Sequence, residues 1–99
     1  MRPVLIMLDD ALLATGMSPV LCIPLTSKLF KDLASLRIEV APRGHLLKSC
    51  YAMPEQALAL DRNRFGKDPL ATLTKEEMIQ VERIFLACCG MADHLEPLH

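Results

Sequence analysis

Thr74-Lys75-Glu76-Glu77-Met78-Ile79-Gln80-Val81-Glu82-Arg83-Ile84-Phe85-Leu86-Ala87-Cys88-Cys89-Gly90 carries the clearest local signal in the chain. The Thr74 hydroxyl can cap a helix, and Glu77, three residues on, can reach back to the capping residue's amide, so two otherwise orphaned donors are satisfied reciprocally. Met78, Val81, Ile84, Phe85 and Cys88 then recur at spacings of three and four, which puts them on one face. The spacing predicts a helix from Lys75 to Cys89, ended by Gly90 and packed on a sheet.

The sheet comes from what precedes the helix. Pro3-Val4-Leu5-Ile6-Met7-Leu8 is an apolar run of strand length bounded by Pro3 and Asp9-Asp10, and Pro19-Val20-Leu21-Cys22-Ile23-Pro24-Leu25 is a second, with Thr26-Ser27-Lys28 clustered beyond its end. Ala11 to Ser18 is too short for a stable helix and reads as a connecting loop. Leu36-Arg37-Ile38-Glu39-Val40 alternates apolar with charged, as a strand with a solvated Arg37/Glu39 face should. Ser49 to Met53 and Gln56 to Leu60 are further strands on either side of Pro54, Asp61 to Gly66 is a short helical turn, and Leu70 to Leu73 offers one more strand. Short strands followed by one helix make an α+β domain, a small bent sheet or open barrel. Residues 1–91 form that domain and 92–99, with Pro97, a frayed tail.

The totals bound the possibilities. Ninety-nine residues make one domain with a thin core, and 52% hydrophobic residues with a mean hydropathy of +0.27 leave apolar surface for an interface. Eleven Lys plus Arg against twelve Asp plus Glu give a formal charge of −1, so nucleic-acid contact requires a local basic patch rather than a global field. Cys22, Cys50, Cys88 and Cys89 lack CxxC spacing, and no secretory leader or membrane-length apolar run precedes or follows them, which reads as a soluble cytoplasmic protein with free, buried thiols.

Catalytic signatures of the common kinds are absent: there is no Gly-rich phosphate loop, GxSxG elbow or HExxH. Cys50, Cys88, Cys89 and His45 make a poor zinc set, because adjacent helical residues point about 100° apart; no metal or cofactor is expected. What remains is Arg2 before the first strand and Thr26-Ser27 after the second. If those strands pair antiparallel, these residues meet at one end of the sheet, and a fixed guanidinium beside hydroxyls can hold a phosphate. The alternative is a solvated terminal Arg2 and a turn-forming Thr26.

Arg2-Pro3-Val4-Leu5-Ile6 and Cys22-Ile23-Pro24-Leu25-Thr26-Ser27 resemble the RPVLV strand and P-[IL]-T-[ST] segment of the MazF/PemK toxins. Glu55-Gln56-Ala57-Leu58-Ala59-Leu60-Asp61-Arg62-Asn63-Arg64-Phe65 is similar to that family's [DE]-Q-x-x-x-[IL]-D-x-x-R-[LF] segment, and the final helix to its [ST]-x-E-E-[ML] opening. The resemblance implies a small SH3-like β-barrel of five or six strands with a C-terminal helix, forming a homodimer. It also implies a metal-independent endoribonuclease of single-stranded mRNA that is neutralised by a cognate antitoxin, with DNA bound through the toxin–antitoxin complex. In that family the ribose 2′-hydroxyl attacks the adjacent phosphate. Arg2 matches the catalytic arginine, an acid or charge stabiliser; Thr26 matches the phosphate-positioning threonine; Glu55 matches an acidic position used by some members as a base. Ser27, Lys28, Arg37, Lys48 and Gln56 are the RNA-binding candidates. The alternative for Glu55 is a strand-end carboxylate paired with Arg64 or Lys48.

The departures carry expectations of their own. Family members open with an R-G-D-[IV]-[VWY] strand and a Gly-rich loop, whereas Met1 stands where that loop ends, so the resemblance implies a member without its first strand and with an unpaired sheet edge. Met53 stands where some members carry arginine. A second functional reading is therefore a catalytically inactive homologue that binds antitoxin or dimerises.

Overall fold

The computed structural model describes residues 3–66 and 69–91. Five antiparallel strands run β1 (Val4–Ile6), β2 (Val20–Thr26), β3 (Ile38–Val40), β4 (Cys50–Ala52) and β5 (Leu58–Leu60), with helices α1 (Asp10–Ala14) and α2 (Lys75–Cys88). The α+β class expected from the pattern is what forms. The sheet, however, stays open: its path is β1-β2-β4-β3 with β5 also on β2, and among the described residues β1 and β3 end the path without pairing to each other. An open sheet with three-residue edge strands stands in place of the closed barrel.

β2 is the organising strand. Cys22 lies opposite both Ile6 of β1 and Leu58 of β5, so these two flank it on opposite sides, and Leu25 lies opposite Ala52 of β4. β4 and β5 thus share one edge of β2, separated by a 3₁₀ turn at Pro54–Gln56. Pro24 falls at that separation. Its carbonyl accepts from Met53 N–H at 3.0 Å, while the amide hydrogen it lacks faces the gap where no ladder bond is required. A proline inside a central strand is tolerated because the partner strand leaves the ladder there.

Alternation then sorts the side chains. Ile23 and Leu25 of β2, Ile38 and Val40 of β3, and Cys50 and Ala52 of β4 form the core with Leu46 and with Val81 of α2. Thr74 accepts from Glu77 N–H at 3.1 Å and Glu77 Oε1 accepts from Thr74 N–H at 2.8 Å, the capping box the sequence announced. At the other end Met91 N–H bonds Leu86 O and Gly90 N–H bonds Ala87 O, with Gly90 at φ +76°, a Schellman stop. Ile84 and Phe85 pack against the core beside fully buried Val81; of the thiols expected to be buried, Cys22 and Cys50 are, whereas Cys88 and Cys89, in the last turn of α2 and its cap, are exposed.

Three local expectations are corrected. Asp10–Ala14 is helical rather than loop, its start fixed by Asp9 Oδ2 accepting from Ala11 N–H and its end by Arg62, whose guanidinium donates to Leu13 O at 2.8 Å and Met17 O at 3.1 Å. Leu70 to Leu73 is not a strand. Its carbonyls serve the turn at residues 41–46 instead: His45 N–H bonds Leu70 O at 2.7 Å and Arg43 reaches Thr72 O. Gly44, at φ +53°, permits this approach, since a Cβ there would stand 2.8 Å from Leu70 O. Arg37, expected on the solvated face of β3, has a side chain only 3% exposed, whereas Glu39 is exposed. The tail at 92–99 lies outside the described residues.

Candidate functional site

The solvent-facing side of β2, β4 and β3 is polar by register. Thr26 lies opposite Tyr51, and Tyr51 opposite Glu39, so these three form a row across the sheet, while Leu25, Ala52 and Ile38 form the adjacent row beneath. Thr26 is half-buried at the C-terminal end of β2. Its Oγ1 accepts from Lys28 N–H at 3.2 Å, which fixes the oxygen against the departing loop, and among the described residues the hydroxyl hydrogen has no acceptor. Ser27 and Lys28 are exposed immediately beyond it. Lys48 is exposed shortly before β4, at the same end of the sheet.

Arg2, the other half of the expected phosphate grip, lies outside the described residues. Its chain neighbour Pro3 is described: Pro3 O accepts from Leu25 N–H at 3.1 Å, one residue from Thr26. The β1 start and the β2 end therefore meet, as the antiparallel pairing required.

On the far side of β4, the chain enters the 3₁₀ turn and places Glu55 against β3. Arg37 Nη1 donates to Glu55 Oε1 at 2.6 Å, and Gln56 Nε2 donates to Glu55 Oε2 at 3.4 Å. The partner of Glu55 is thus Arg37, not Arg64 or Lys48. Continuing the Ile38–Ala52 register one step sets Arg37, just before β3, level with Met53, just after β4, so a guanidinium stands beside the methionine position. Burial pushes the Glu55 carboxyl upward, but the Arg37 hydrogen bond, a backbone hydrogen bond, the Arg37 charge and the Gln56 bond together hold it below its ordinary value of 4.5. Glu55 is ionised at neutral pH. Arg37 Nε is buried without a partner, the one such side-chain atom among the described residues. Strand spacing and rise separate the Arg37 backbone, level with Met53, from Thr26 by roughly 12 Å, so the Glu55-bearing end and the Thr26 end of the sheet stand apart.

Sequence reasoning missed the Arg37–Glu55 pairing and a second one like it. Arg43 Nη1 and Nη2 grip Glu77 Oε1 and Oε2 at 2.5 and 2.8 Å, tying the 41–46 turn to the first turn of α2. Arg43 and its hydrogen bond hold the Glu77 carboxyl below the ordinary range. No short-range pattern reveals partners 18 and 34 residues apart. A cleft of about 280 Å³ lined by Ile6, Leu13, Val20, Arg62, Phe65 and Gly66 lies at the opposite end of β2 from Thr26, and its guanidinium is committed to the α1 carbonyls. Among the described residues no three His, Cys, Asp or Glu side chains gather as a metal site, and no helix is long and apolar enough to cross a membrane.

The fold is shared with solved structures. The chain superposes on the Mycobacterium tuberculosis toxin MazF-mt6 with a TM-score of 0.77 at 13% identity, covering 91% of this chain and 87% of that one. A second structure, described as a crystal structure of an Mtb toxin, matches with a TM-score of 0.64 at 16% identity, covering 92% and 91%. A search of curated proteins returns no match. The family model for the PemK-like, MazF-like toxin of type II toxin–antitoxin systems matches residues 1–87, nearly the whole chain, and the chain therefore belongs to that toxin family.

Proposed function

We propose that this toxin is a metal-independent endoribonuclease that cuts single-stranded mRNA in the cytoplasm and is held inactive by a cognate antitoxin. The observation that carries the reading is Thr26: its oxygen is fixed by Lys28 N–H and its hydroxyl donates to no acceptor among the described residues, next to the start of β1. A hydroxyl so placed donates to a non-bridging phosphate oxygen without first breaking another bond. Arg2, covalently joined to Pro3, supplies the fixed positive charge of an acid or charge stabiliser.

In the reaction the ribose 2′-oxygen forms a bond to phosphorus and the bond from phosphorus to the 5′-oxygen breaks. Glu55 is ionised, but roughly 12 Å from Thr26 it is out of hydrogen-bond reach of the 2′-hydroxyl beside the phosphate that Thr26 grips. That proton passes to solvent water, and Glu55 instead holds Arg37 at the far end of the RNA path. The departing 5′-oxygen takes a proton from solvent water, leaving a 2′,3′-cyclic phosphate and a 5′-hydroxyl; a later attack of water on phosphorus that breaks the bond to the 2′-oxygen turns the cyclic ester into a 3′-phosphate. Ser27, Lys28 and Lys48 contact flanking phosphates from the Thr26 end and Gln56 does so from the Glu55 end, where Arg37, its side chain 3% exposed, adds its charge from beneath the surface rather than by contact. The roughly 12 Å between the two ends suits a chain of nucleotides laid across the sheet.

A second reading has its own support. Among the described strands β1 pairs with β2 alone, so its outer edge presents open backbone groups that an antitoxin segment or a second copy can join as an added strand. That reading describes a homodimerising or antitoxin-binding module without catalysis. Incubation with single-stranded RNA in a chelator separates the two. The nuclease gives 5′-hydroxyl ends, loses them in Arg2→Ala, and fails on a strand carrying a 2′-deoxy sugar at the cut; identical products from wild type and Arg2→Ala refute the assigned chemistry.

A further inference from the structure

Phe30 is the exposed aromatic among the described residues, at 62% of its full accessibility, with Leu29 at 47% and Leu33 at 37% beside it in sequence. Tyr51, Phe65 and Phe85 are all partly covered. A large apolar ring left in water four residues beyond Thr26 needs a reason. The backbone beneath it is set: Phe30 heads the 3₁₀ turn Lys31–Leu36, and its carbonyl accepts from Leu33 N–H at 3.0 Å. The ring is therefore offered from a fixed point rather than from a slack loop. Lys28 and Lys31 bracket it, both exposed, against Asp32 alone, so the segment carries one net positive charge on a chain whose total is −1.

We infer that Phe30 is a stacking platform for a base of single-stranded RNA, with Lys28 and Lys31 holding the phosphates on either side. This rests on the nuclease reading above and adds to it a base-contacting subsite. Charge together with position favours RNA over a protein partner. Two ammonium groups at the rim would lose hydration under an apolar protein surface, whereas a polyanion with flat, apolar base faces satisfies both lysines and the ring together. The subsite is also continuous with the proposed phosphate grip, since four residues span at most about 14 Å from Thr26 to Phe30. Stacking reads no hydrogen-bond edge, so the platform adds affinity and register with little sequence preference.

The test compares binding of a short mixed-sequence RNA with binding of an abasic ribose–phosphate strand of the same length, in chelator, with 2′-deoxy sugars at mapped cut sites to prevent cleavage. Wild type is expected to prefer the base-bearing strand. Phe30→Ala loses about 5- to 150-fold on that strand and little on the abasic one, the range that stacking on one aromatic spans, and Phe30→Trp restores the preference. Lys28→Ala and Lys31→Ala weaken both strands and flatten the salt dependence. Phe30→Ala binding both strands as wild type does, in a protein that still cuts RNA, overturns the platform and leaves the nuclease reading standing. A wild type that neither cuts nor binds RNA overturns the nuclease reading itself. If Phe30→Ala instead shifts the sedimentation coefficient without changing RNA affinity, the ring belongs to an interface between copies and the platform is wrong.

Discussion

Arg37 and Glu55 meet at 2.6 Å across the end of the β3–β4 ladder, with the arginine side chain 3% exposed and the carboxylate 25% exposed. The pair joins the entry of β3 to the turn that follows β4, and it orients a guanidinium whose Nε is buried with no partner among the described residues. Removing the carboxylate leaves a buried cation unneutralised, which costs more than the pair itself contributes. Glu55→Gln is expected to lower stability by about 1–2 kcal/mol, less than a fully buried pair because the carboxylate still meets water. Urea denaturation with an Arg37→Met, Glu55→Gln cycle measures it; additive losses would mean the two side chains do not interact.

Acid sensitivity follows from the two glutamates. Both Glu55 and Glu77 titrate below their ordinary value of 4.5. A carboxylate with a lowered folded-state pKa stabilises fully above its unfolded value and loses that contribution as pH falls through the folded one. Stability is therefore expected to be flat from about pH 7 to about pH 5 and to fall below that, with the fall shallower in a Glu55→Gln, Glu77→Gln double variant. Thermal melts across that range decide the matter, and an unchanged slope in the double variant would contradict the assignment.

Gly44 sits at φ +53° with Leu70 O where a Cβ would fall at 2.8 Å. Gly44→Ala is expected to destabilise by about 1–3 kcal/mol, combining the left-handed backbone with a contact that backbone alone must relieve. Gly16, at φ +80° but in open space, should cost less when changed to alanine. Equal losses at both sites would show that the close approach to Leu70 is unimportant.

At the start of α2 one side chain serves two partners. Glu77 accepts from Thr74 N–H and binds the Arg43 fork. Thr74→Ala should cost about 1 kcal/mol as the loss of a cap. Glu77→Ala should lower the melting temperature further, because the 41–46 turn loses its anchor as well as the helix its reciprocal bond. A Glu77→Ala melt no lower than that of Thr74→Ala would mean the turn is held by other contacts.

The parts of this molecule legible in sequence were those whose partners lie close along the chain. The capping box needs only Thr74 and Glu77, and β2 announces itself as an apolar run ended by polar residues. α1 was harder because five residues carry too little periodicity, and its cue is a single Asp9 cap. Leu70 to Leu73 has strand composition, but its backbone acceptors are taken by His45 and Arg43 from a turn well upstream. Arg37 alternates as a solvated residue would, and only the fold brings Glu55 to cover it. Of the site, the convergence of the β1 start with the β2 end followed from antiparallel pairing, whereas the distance from Thr26 to Glu55 depended on which strand lies between them.

The proposed chemistry depends on the Thr26 hydroxyl more directly than on any other described group. Thr26→Val keeps the shape and β-branching of the side chain while deleting the proton donor, and with it the exposed acceptor for Lys28 N–H. Cleavage of single-stranded RNA in chelator by this variant is expected to fall by about 10²–10³-fold, the loss typical of one missing oxyanion donor, with the thermal melt unchanged within a few degrees. Cleavage at the wild-type rate by a folded Thr26→Val protein would contradict the account.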